Sequence, residues 1–300
     1  GGLLLADKTV NTQSITNSLY MVVAPGEHTI KVKYTLFDTK ANKTFAVTKS
    51  YGSRTLAANT IYDIPVNLNM ATSSTIAEIP NLYGGHNYYM WDAKENYWFG
   101  HEWDSTGPWQ PIKEGATNDK YPKSKEADAS RWFNEAEGVF EASNPLFKKL
   151  PNANEMAWYV MKGDAHWDND TQWEVFGEKH TGGIWLKKLS VIAKEKDKQL
   201  ADLKLKNPED IDMRTTYNFY QVVPIDGKPN DSEINNYFFL PALGYYYSDQ
   251  LSDFGSNGNY WSSSTHPNDS GYVYFLNFNS GSVLVNVTSR DCGVVAQPFE

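Results

Sequence analysis

The sequence predicts an α+β protein of two domains, a β-sandwich-like segment over residues 1–75 and a mixed domain over residues 76–300. Three patterns support this prediction. Residues 28–36 alternate apolar and polar side chains, as a half-buried strand does. Residues 152–205 hold two stretches with helical spacing. Residues 272–288 alternate again, which indicates a small antiparallel sheet after two or three helices.

The first segment is rich in predicted strands. Residues 28–36 form one strand, turn residues come next, and the alternation resumes at Phe45, so we expect a hairpin. Residues 59–69 form another run, in which Pro65 indicates an edge position or the start of a strand. These strands are too few to close a sandwich, so the segment either packs on the rest of the chain or belongs to a longer domain. Residues 71–80 are polar and typical of a linker.

Aromatic side chains crowd the stretch after this linker. Residues 87–110 contain Trp91, Trp98, Trp103 and Trp109, together with several tyrosines. Such density is unusual in regular helices or strands, and it favours long, well-packed loops. We expect most of these tryptophans to lie in the core or in packed loops.

Two or three helices are predicted in the middle of the chain. The first covers residues 124–142. The second covers residues 152–162 and begins at Asn152 or Asn154, either of which can cap it. The third covers residues 192–205 and ends before a proline.

The last part of the chain is predicted to be strand and turn. Strands cover residues 272–278 and 283–288, with a turn at residues 279–282 between them. A final strand is predicted from Gly293 to Phe299.

Composition and charge exclude some functions. Residues 1–75 hold seven Lys/Arg and four Asp/Glu, a charge of +3, which leaves −12 for residues 76–300 because the whole chain carries −9. An acidic body without a basic cluster does not predict nucleic-acid binding. The single Cys292 excludes an internal disulfide framework and a cysteine-based zinc site. No apolar run is long enough to predict a membrane span.

No motif predicts an enzyme, a cofactor or a metal site. His101-Glu102 lacks the second histidine of a zincin motif, and His166 has only Asp164 and Asp168 nearby. Residues 168–170 begin like a calcium loop, but Trp173 replaces the glycine that its turn requires. A glycosidase would need one pair of carboxylates at a defined separation, and nothing in the sequence selects a pair.

A series of short motifs in chain order carries a resemblance. Residues 150–158, 239–244, 255–258, 260–264, 272–278 and 289–293, followed by Gln297-Pro298, resemble the "major paralogous domain" proteins of Fibrobacter and of Bacteroidetes surfaces. Residues 89–93 resemble the opening segment of that family, so the resemblance spans about Tyr83 to Glu300. It implies a C-type-lectin-like fold, similar also to sulfatase-modifying factors.

The chain departs from these relatives where their chemistry would lie. Serines follow Trp261, and Phe299 follows Gln297-Pro298, so the calcium triplets of calcium-dependent lectins are broken. The formylglycine-generating relatives use a cysteine pair, which a lone Cys292 cannot supply. We therefore interpret Cys292 as a strand residue without a function.

The first seventy residues resemble the end of a fimbrillin-type β-sandwich, as found in Bacteroides pilins. Residues 25–29 and 58–64 carry this resemblance. A fimbrillin-like base with a lectin-like head implies a fimbrial or outer-membrane adhesin, located at the cell surface or outside the cell. This step is an analogy between folds.

We therefore expect a surface adhesin whose head binds a glycan or a host protein, with no catalytic residue, no metal ligand and no cofactor. The alternative is a structural fimbrial or envelope subunit, which pairs its first strands with other pilin subunits. An enzyme that acts on polysaccharide is a third, weaker hypothesis. The predicted contact residues, which could instead be ordinary solvated turns, are Trp261, Thr265, His266, Asn268, Asp269, Asn277, Asn279, Asn286 and Thr288.

Overall fold

The computed structural model describes residues 22–38, 43–60, 75–76, 87–99, 124–134, 141–175, 178–247 and 250–299. The chain divides into two compact units, Gly1–Met70 and Ala71–Glu300. The described residues form a mixed α+β protein, mostly sheet, with three α-helices. This confirms the predicted α+β class.

The first unit contains a long antiparallel hairpin. Strand β1 (Gly26–Asp38) pairs with β2 (Lys43–Leu56), and the register slips once, between Thr29 and Lys31. The hairpin predicted for this segment is therefore confirmed. The strand predicted over residues 59–69 lies almost wholly outside the described residues, which end at Thr60 in this unit.

The second unit contains the remaining strands and the helices. Its strands, in chain order, are β3 (Thr75–Ile76), β4 (Tyr88–Tyr89), β5 (His166–Asp168), β6 (Gln172–Val175), β7 (Glu178–His180), β8 (Gly183–Lys187), β9 (Tyr220–Val222), β10 (Ile225–Asp226), β11 (Tyr237–Pro241), β12 (Tyr245–Tyr247), β13 (Gln250–Ser252), β14 (Gly258–Thr265), β15 (Tyr272–Asn279), β16 (Ser282–Ser289) and β17 (Val294–Val295). Its helices are α1 (Ala153–Lys162), α2 (Leu189–Glu195) and α3 (Leu200–Leu205).

The largest sheet has the strand order β4-β17-β14-β15-β16-β9. Its centre is the antiparallel meander β14–β15–β16, which confirms the strands predicted in the tail. A second sheet has the order β10-β5-β8-β11, and a third the order β3-β6-β7. Strand β3 pairs with β6, so Thr75 belongs to the second unit.

Helix α1 packs on β9, β14, β15 and β16, where it covers the main core. Asn152 caps it: its Oδ1 accepts the Glu155 backbone N–H, and the Glu155 carboxylate accepts the Asn152 N–H. Such a capping box satisfies two otherwise unpaired donors. The predicted helix and its cap at Asn152 are both confirmed.

Three other predictions differ from the structure. Residues 124–134, the largest described part of the first predicted helix, form turns. The helix predicted over residues 192–205 is two short helices, because the chain turns at Asp197, whose φ is 53°. The final strand is only Val294–Val295, and Cys292 precedes it in a bend.

The aromatic-rich stretch is described as far as residue 99. Apart from β4 it consists of turns and loops, in which Trp91 and Trp98 are fully buried. Packed loops were predicted here, and the described part confirms them. Residues 100–110 lie outside the described residues.

Candidate functional site

The large sheet has two faces, because side chains alternate along each strand. One face lies in the main core, where Tyr260, Leu276 and Val285 are fully buried. The opposite face carries the predicted contact residues of the strand interiors. These are Trp261, Asn277, Asn279, Asn286 and Thr288.

Part of this opposite face is covered by a second hydrophobic cluster. Trp261 is fully buried in it beside Trp91, and its indole Nε1 donates to the Tyr89 carbonyl over 2.8 Å. Thr265 is also buried, with 2% of its surface exposed. The prediction that Trp261 and Thr265 contact a ligand is therefore corrected, because a buried side chain offers no surface to a partner.

Beside this cluster lie four partly exposed side chains, Phe275, Asn277, Leu284 and Asn286, which we call the outer patch; of these, Phe275 also packs against the cluster. Phe275 lies opposite Asn286, and Asn277 lies opposite Leu284. The two amides therefore occupy one diagonal of the patch, and the two apolar side chains occupy the other. Diagonal neighbours on paired strands lie about 7–8 Å apart.

Hydrogen bonds fix the orientation of both amides. Asn277 Nδ2 donates to Asn259 Oδ1 over 2.8 Å. Asn286 Oδ1 accepts the Tyr217 hydroxyl over 3.1 Å and the Val287 N–H over 2.8 Å. Within the described residues, Asn277 Oδ1 and Asn286 Nδ2 have no partner. The patch therefore presents one acceptor and one donor on neighbouring strands.

Asn259 lies beside the patch and carries an unpaired donor. Only 4% of its surface is exposed, and its Nδ2 has no acceptor within the described part of the chain. A buried polar group without a partner costs about 1–3 kcal/mol, so a native example calls for a reason. Asn259 was not among the site residues predicted from the sequence.

Exposed side chains border the patch on the side of β9. Tyr220 and Val222 pack against the main core, whereas Phe219 and Gln221 are exposed, Phe219 to 54%. Tyr217 is 40% exposed and holds Asn286 through its hydroxyl. Sequence reasoning missed these residues, although the alternation over residues 219–222 is the signal that identifies their face.

Asn279 and Thr288 have local roles in the hairpin. Asn279 Oδ1 accepts the backbone N–H groups of Gly281 and Ser282, and thereby forms the turn between β15 and β16. Thr288 hydrogen-bonds the Cys292 thiol. Burial and the neighbouring Asp291 charge raise the pKa of Cys292, and the hydrogen bond with Thr288 lowers it. The net pKa of the thiol is about 11.

The turn between β14 and β15 holds the other predicted residues. His266 is partly exposed, and Asn268 and Asp269 are exposed. The His266 Nδ1 accepts the Asn268 N–H over 3.1 Å, and Asp269 Oδ1 accepts the Gly271 N–H over 2.9 Å. The His266 ring lies 4.7 Å from the Tyr217 ring, so Tyr217 connects this turn to the outer patch.

A separate depression of about 510 Å³ lies between β6–β7 and the loop before β14. His180 and Phe254 line it, and their rings lie 5.0 Å apart. The described lining residues include Lys179 and His180 but no carboxylate, so the depression lacks the carboxylate pair of a glycosidase.

The loop that begins like a calcium site is closed by its own hydrogen bonds. The Asp168 carboxylate accepts the N–H groups of Asp170 and Thr171, the Thr171 hydroxyl and the Trp185 indole. Burial alone would raise the pKa of Asp168, but these bonds outweigh it and lower the pKa below 3.8. Among the described residues, no group of three or more His, Cys, Asp or Glu could hold a metal ion.

Two further results concern the chain as a whole. None of the helices in the described ranges is long and apolar enough to cross a membrane. Comparison with protein-family models, with curated proteins and with solved structures gives no match.

Proposed function

We propose that this chain is part of a cell-surface or fimbrial adhesin, and that its second unit is a C-type-lectin-like head which binds a glycan or a host protein. The observation that carries the proposal is the outer patch, a partly exposed sheet face with two amides held in fixed orientations. Groups that are already oriented bind more tightly, because less conformational freedom is lost on binding.

The surroundings of the patch support binding rather than catalysis. Exposed aromatic side chains border it, and aromatic residues are enriched where proteins bind partners. The proposal of a lectin-like fold is supported by the short motifs in residues 239–293, which follow the same order as in the proteins that they resemble. The proposal includes the absence of enzymatic activity and a location outside the cell.

The experiment blocks the patch without disturbing the core. Leu284→Arg places a long charged side chain on the patch, and Leu205→Arg does the same at a distant position that is 57% exposed. We expect the wild-type chain and L205R to bind immobilised mucus glycoproteins or host-cell surfaces, and L284R to bind at least about tenfold more weakly. Equal binding by both variants, or no binding by the wild-type chain, would contradict the proposal.

A second candidate, a structural assembly subunit, is suggested by the hairpin of the first unit. Strands β1 and β2 have 13 and 14 residues and pair only with each other within the described residues. Long strand edges readily pair with another chain. Under this candidate the chain assembles in solution and its deletion changes the fimbriae. A strictly monomeric chain whose loss leaves the fimbriae unchanged would exclude it.

A further inference from the structure

The outer patch and its strand neighbours carry no charge. On this face the described side chains of β9, β15 and β16 are Gln221, Val273, Phe275, Asn277, Asn279, Ser282, Leu284, Asn286 and Thr288. In the adjoining turn, the His266 ring lies 4.7 Å from the Tyr217 ring, and the Asp269 carboxylate accepts the N–H of Gly271. Among the described side chains of these strands, a ligand that relies on carboxylate, sulfate or phosphate groups finds no Arg or Lys, the residues that bind such groups best.

We infer that the ligand of the outer patch is a neutral glycan, a saccharide without acidic substituents, whose hydroxyls on opposite sides of a sugar ring bond Asn277 and Asn286. This inference rests on the proposed function and narrows its ligand to one chemical class. A sugar hydroxyl both donates and accepts hydrogen bonds. The open Asn277 Oδ1 accepts a hydrogen bond from one hydroxyl, and the open Asn286 Nδ2 donates a hydrogen bond to the oxygen of another.

The apolar diagonal of the patch completes the match. Phe275 and Leu284 are partly exposed and lie between the two amides. A sugar ring has an apolar face of C–H groups and a rim of hydroxyls, so its ring covers the apolar diagonal while its hydroxyls meet the amide diagonal. The spacing of about 7–8 Å between diagonal neighbours suits one ring with its substituents.

Asn259 provides an independent observation in the same place. It holds Asn277 through its Oδ1, and its own Nδ2 is buried without an acceptor in the described part of the chain. A water molecule ordered between Asn259 and a bound sugar supplies the missing acceptor. A ligand beside Asn259 therefore accounts for its unpaired amide.

The patch suits a sugar better than a protein. Protein interfaces depend on anchor residues buried in well-packed pockets and on a total buried area of about 1,200–2,000 Å². The outer patch is two strands wide and has an acceptor and a donor at its centre, where protein interfaces place their apolar anchors. Small polar ligands instead need a few well-placed polar groups beside apolar surface.

The test measures binding to immobilised neutral oligosaccharides that end in mannose, galactose, glucose or N-acetylhexosamine, and to matched sialylated and sulfated probes. The variants are Asn277→Ala and Asn286→Ala. The control is Asn235→Ala, because Asn235 is exposed and lies outside the large sheet. Near-ultraviolet circular dichroism and urea unfolding verify that all three variants are folded.

We expect the wild-type chain to bind at least one neutral probe with little dependence on salt, because the contacts are uncharged. Each patch variant should then lose about tenfold in affinity, the effect of one hydrogen bond left unmade, and the control should lose nothing. Binding to acidic probes alone, or neutral binding that both patch variants retain, overturns the inference.

Binding to none of the glycans also overturns it, and a second measurement then tests the proposed function separately. If L284R still abolishes binding to a host protein, the adhesin proposal stands and its ligand is a protein. If neither glycans nor host proteins bind, both proposals fail.

Discussion

Arg290 is a buried charged side chain beside the second hydrophobic cluster. It is 2% exposed, and its guanidinium lies 4.6 Å from the Trp91 ring and 4.8 Å from the Phe133 ring. It donates to the Ser270 carbonyl over 2.7 Å and to the Asn134 carbonyl. It thus joins the turn after β14 to the loops before α1, and Arg290→Met removes these links while preserving much of the volume.

Opposing effects determine the cost of this substitution. Each hydrogen bond from a charged donor contributes about 1.5–3 kcal/mol, and a desolvated cation–π contact adds up to about 2 kcal/mol. Removing the guanidinium also removes its desolvation penalty, which is about several kcal/mol for a buried ion. We expect Arg290→Met to lower the free energy of unfolding by about 2–4 kcal/mol, since two carbonyls lose their donor.

Urea unfolding followed by tryptophan fluorescence measures this change, and a thermal melt should show a Tm lower by roughly 5–12 °C. Arg290→Lys should be no better than methionine, because one strongly hydrated ammonium cannot stack on two rings and reach both carbonyls. Lys149→Met at an exposed position is the control, with a change within about 0.5 kcal/mol. An Arg290→Met variant as stable as wild type would refute this reasoning.

Three further predictions concern the core, pH and the thiol. Gly258→Ala should lower the free energy of unfolding in urea by about 1–3 kcal/mol, because the Cβ of an alanine at this position would lie 1.9 Å from the Phe278 ring. The control Gly281→Ala should leave the free energy of unfolding nearly unchanged. Asp168→Asn should lower stability at pH 7. Because the pKa of Asp168 is lowered in the folded chain, the ionised carboxylate stabilises the fold above pH 3.8, and this stabilisation is lost as the pH falls through the folded-state pKa. The unfolding free energies of the variant and of the wild type should therefore converge in acid. Cys292, with a pKa of about 11, should resist a thiol reagent at pH 8 until the chain unfolds.

Each of these has a clear opposing result. Equal losses for both glycine variants would mean that the close approach at Gly258 is absent. A constant difference between Asp168→Asn and wild type down to acid pH would contradict the lowered pKa. Rapid labelling of the folded chain would show that Cys292 is accessible.

The sequence predicted best those elements whose signals are local. The cap at Asn152 depends on residues three positions apart, and the alternation in residues 272–288 depends on neighbours along one strand. Both signals survive folding because the partners are already close in the chain. The hairpin of the first unit was predictable for the same reason.

Helix length was harder to predict, because distant contacts decide where a helix ends. The two short helices in place of one are separated at Asp197, and Asn154 of α1 then binds the carbonyls of Lys204 and Leu205 at the end of α3. Asn154 donates hydrogen bonds to the carbonyls at the end of a helix that lies 50 residues further along the chain. The sequence around that helix end therefore gives no sign of where the helix stops.

The candidate site was predicted in part. Alternation identified the correct face for Asn277 and Asn286, but it could not show which half of that face is covered. Trp261 is buried in a cluster with side chains from residues 89–91 and 147–150, and only the fold brings these segments together. The same limit hid Tyr217, which reaches Asn286 across 69 positions of sequence.

Side-chain amide NMR of the asparagine-labelled protein tests the central claim most directly. During titration with a neutral oligosaccharide that binds, the Nδ2 signals of Asn277, Asn286 and Asn259 should shift first and most, while that of Asn235 stays in place. Unchanged asparagine signals at the outer patch, with shifts instead in the backbone around His180 and Phe254, would contradict the account and place the binding site in the depression beside β7.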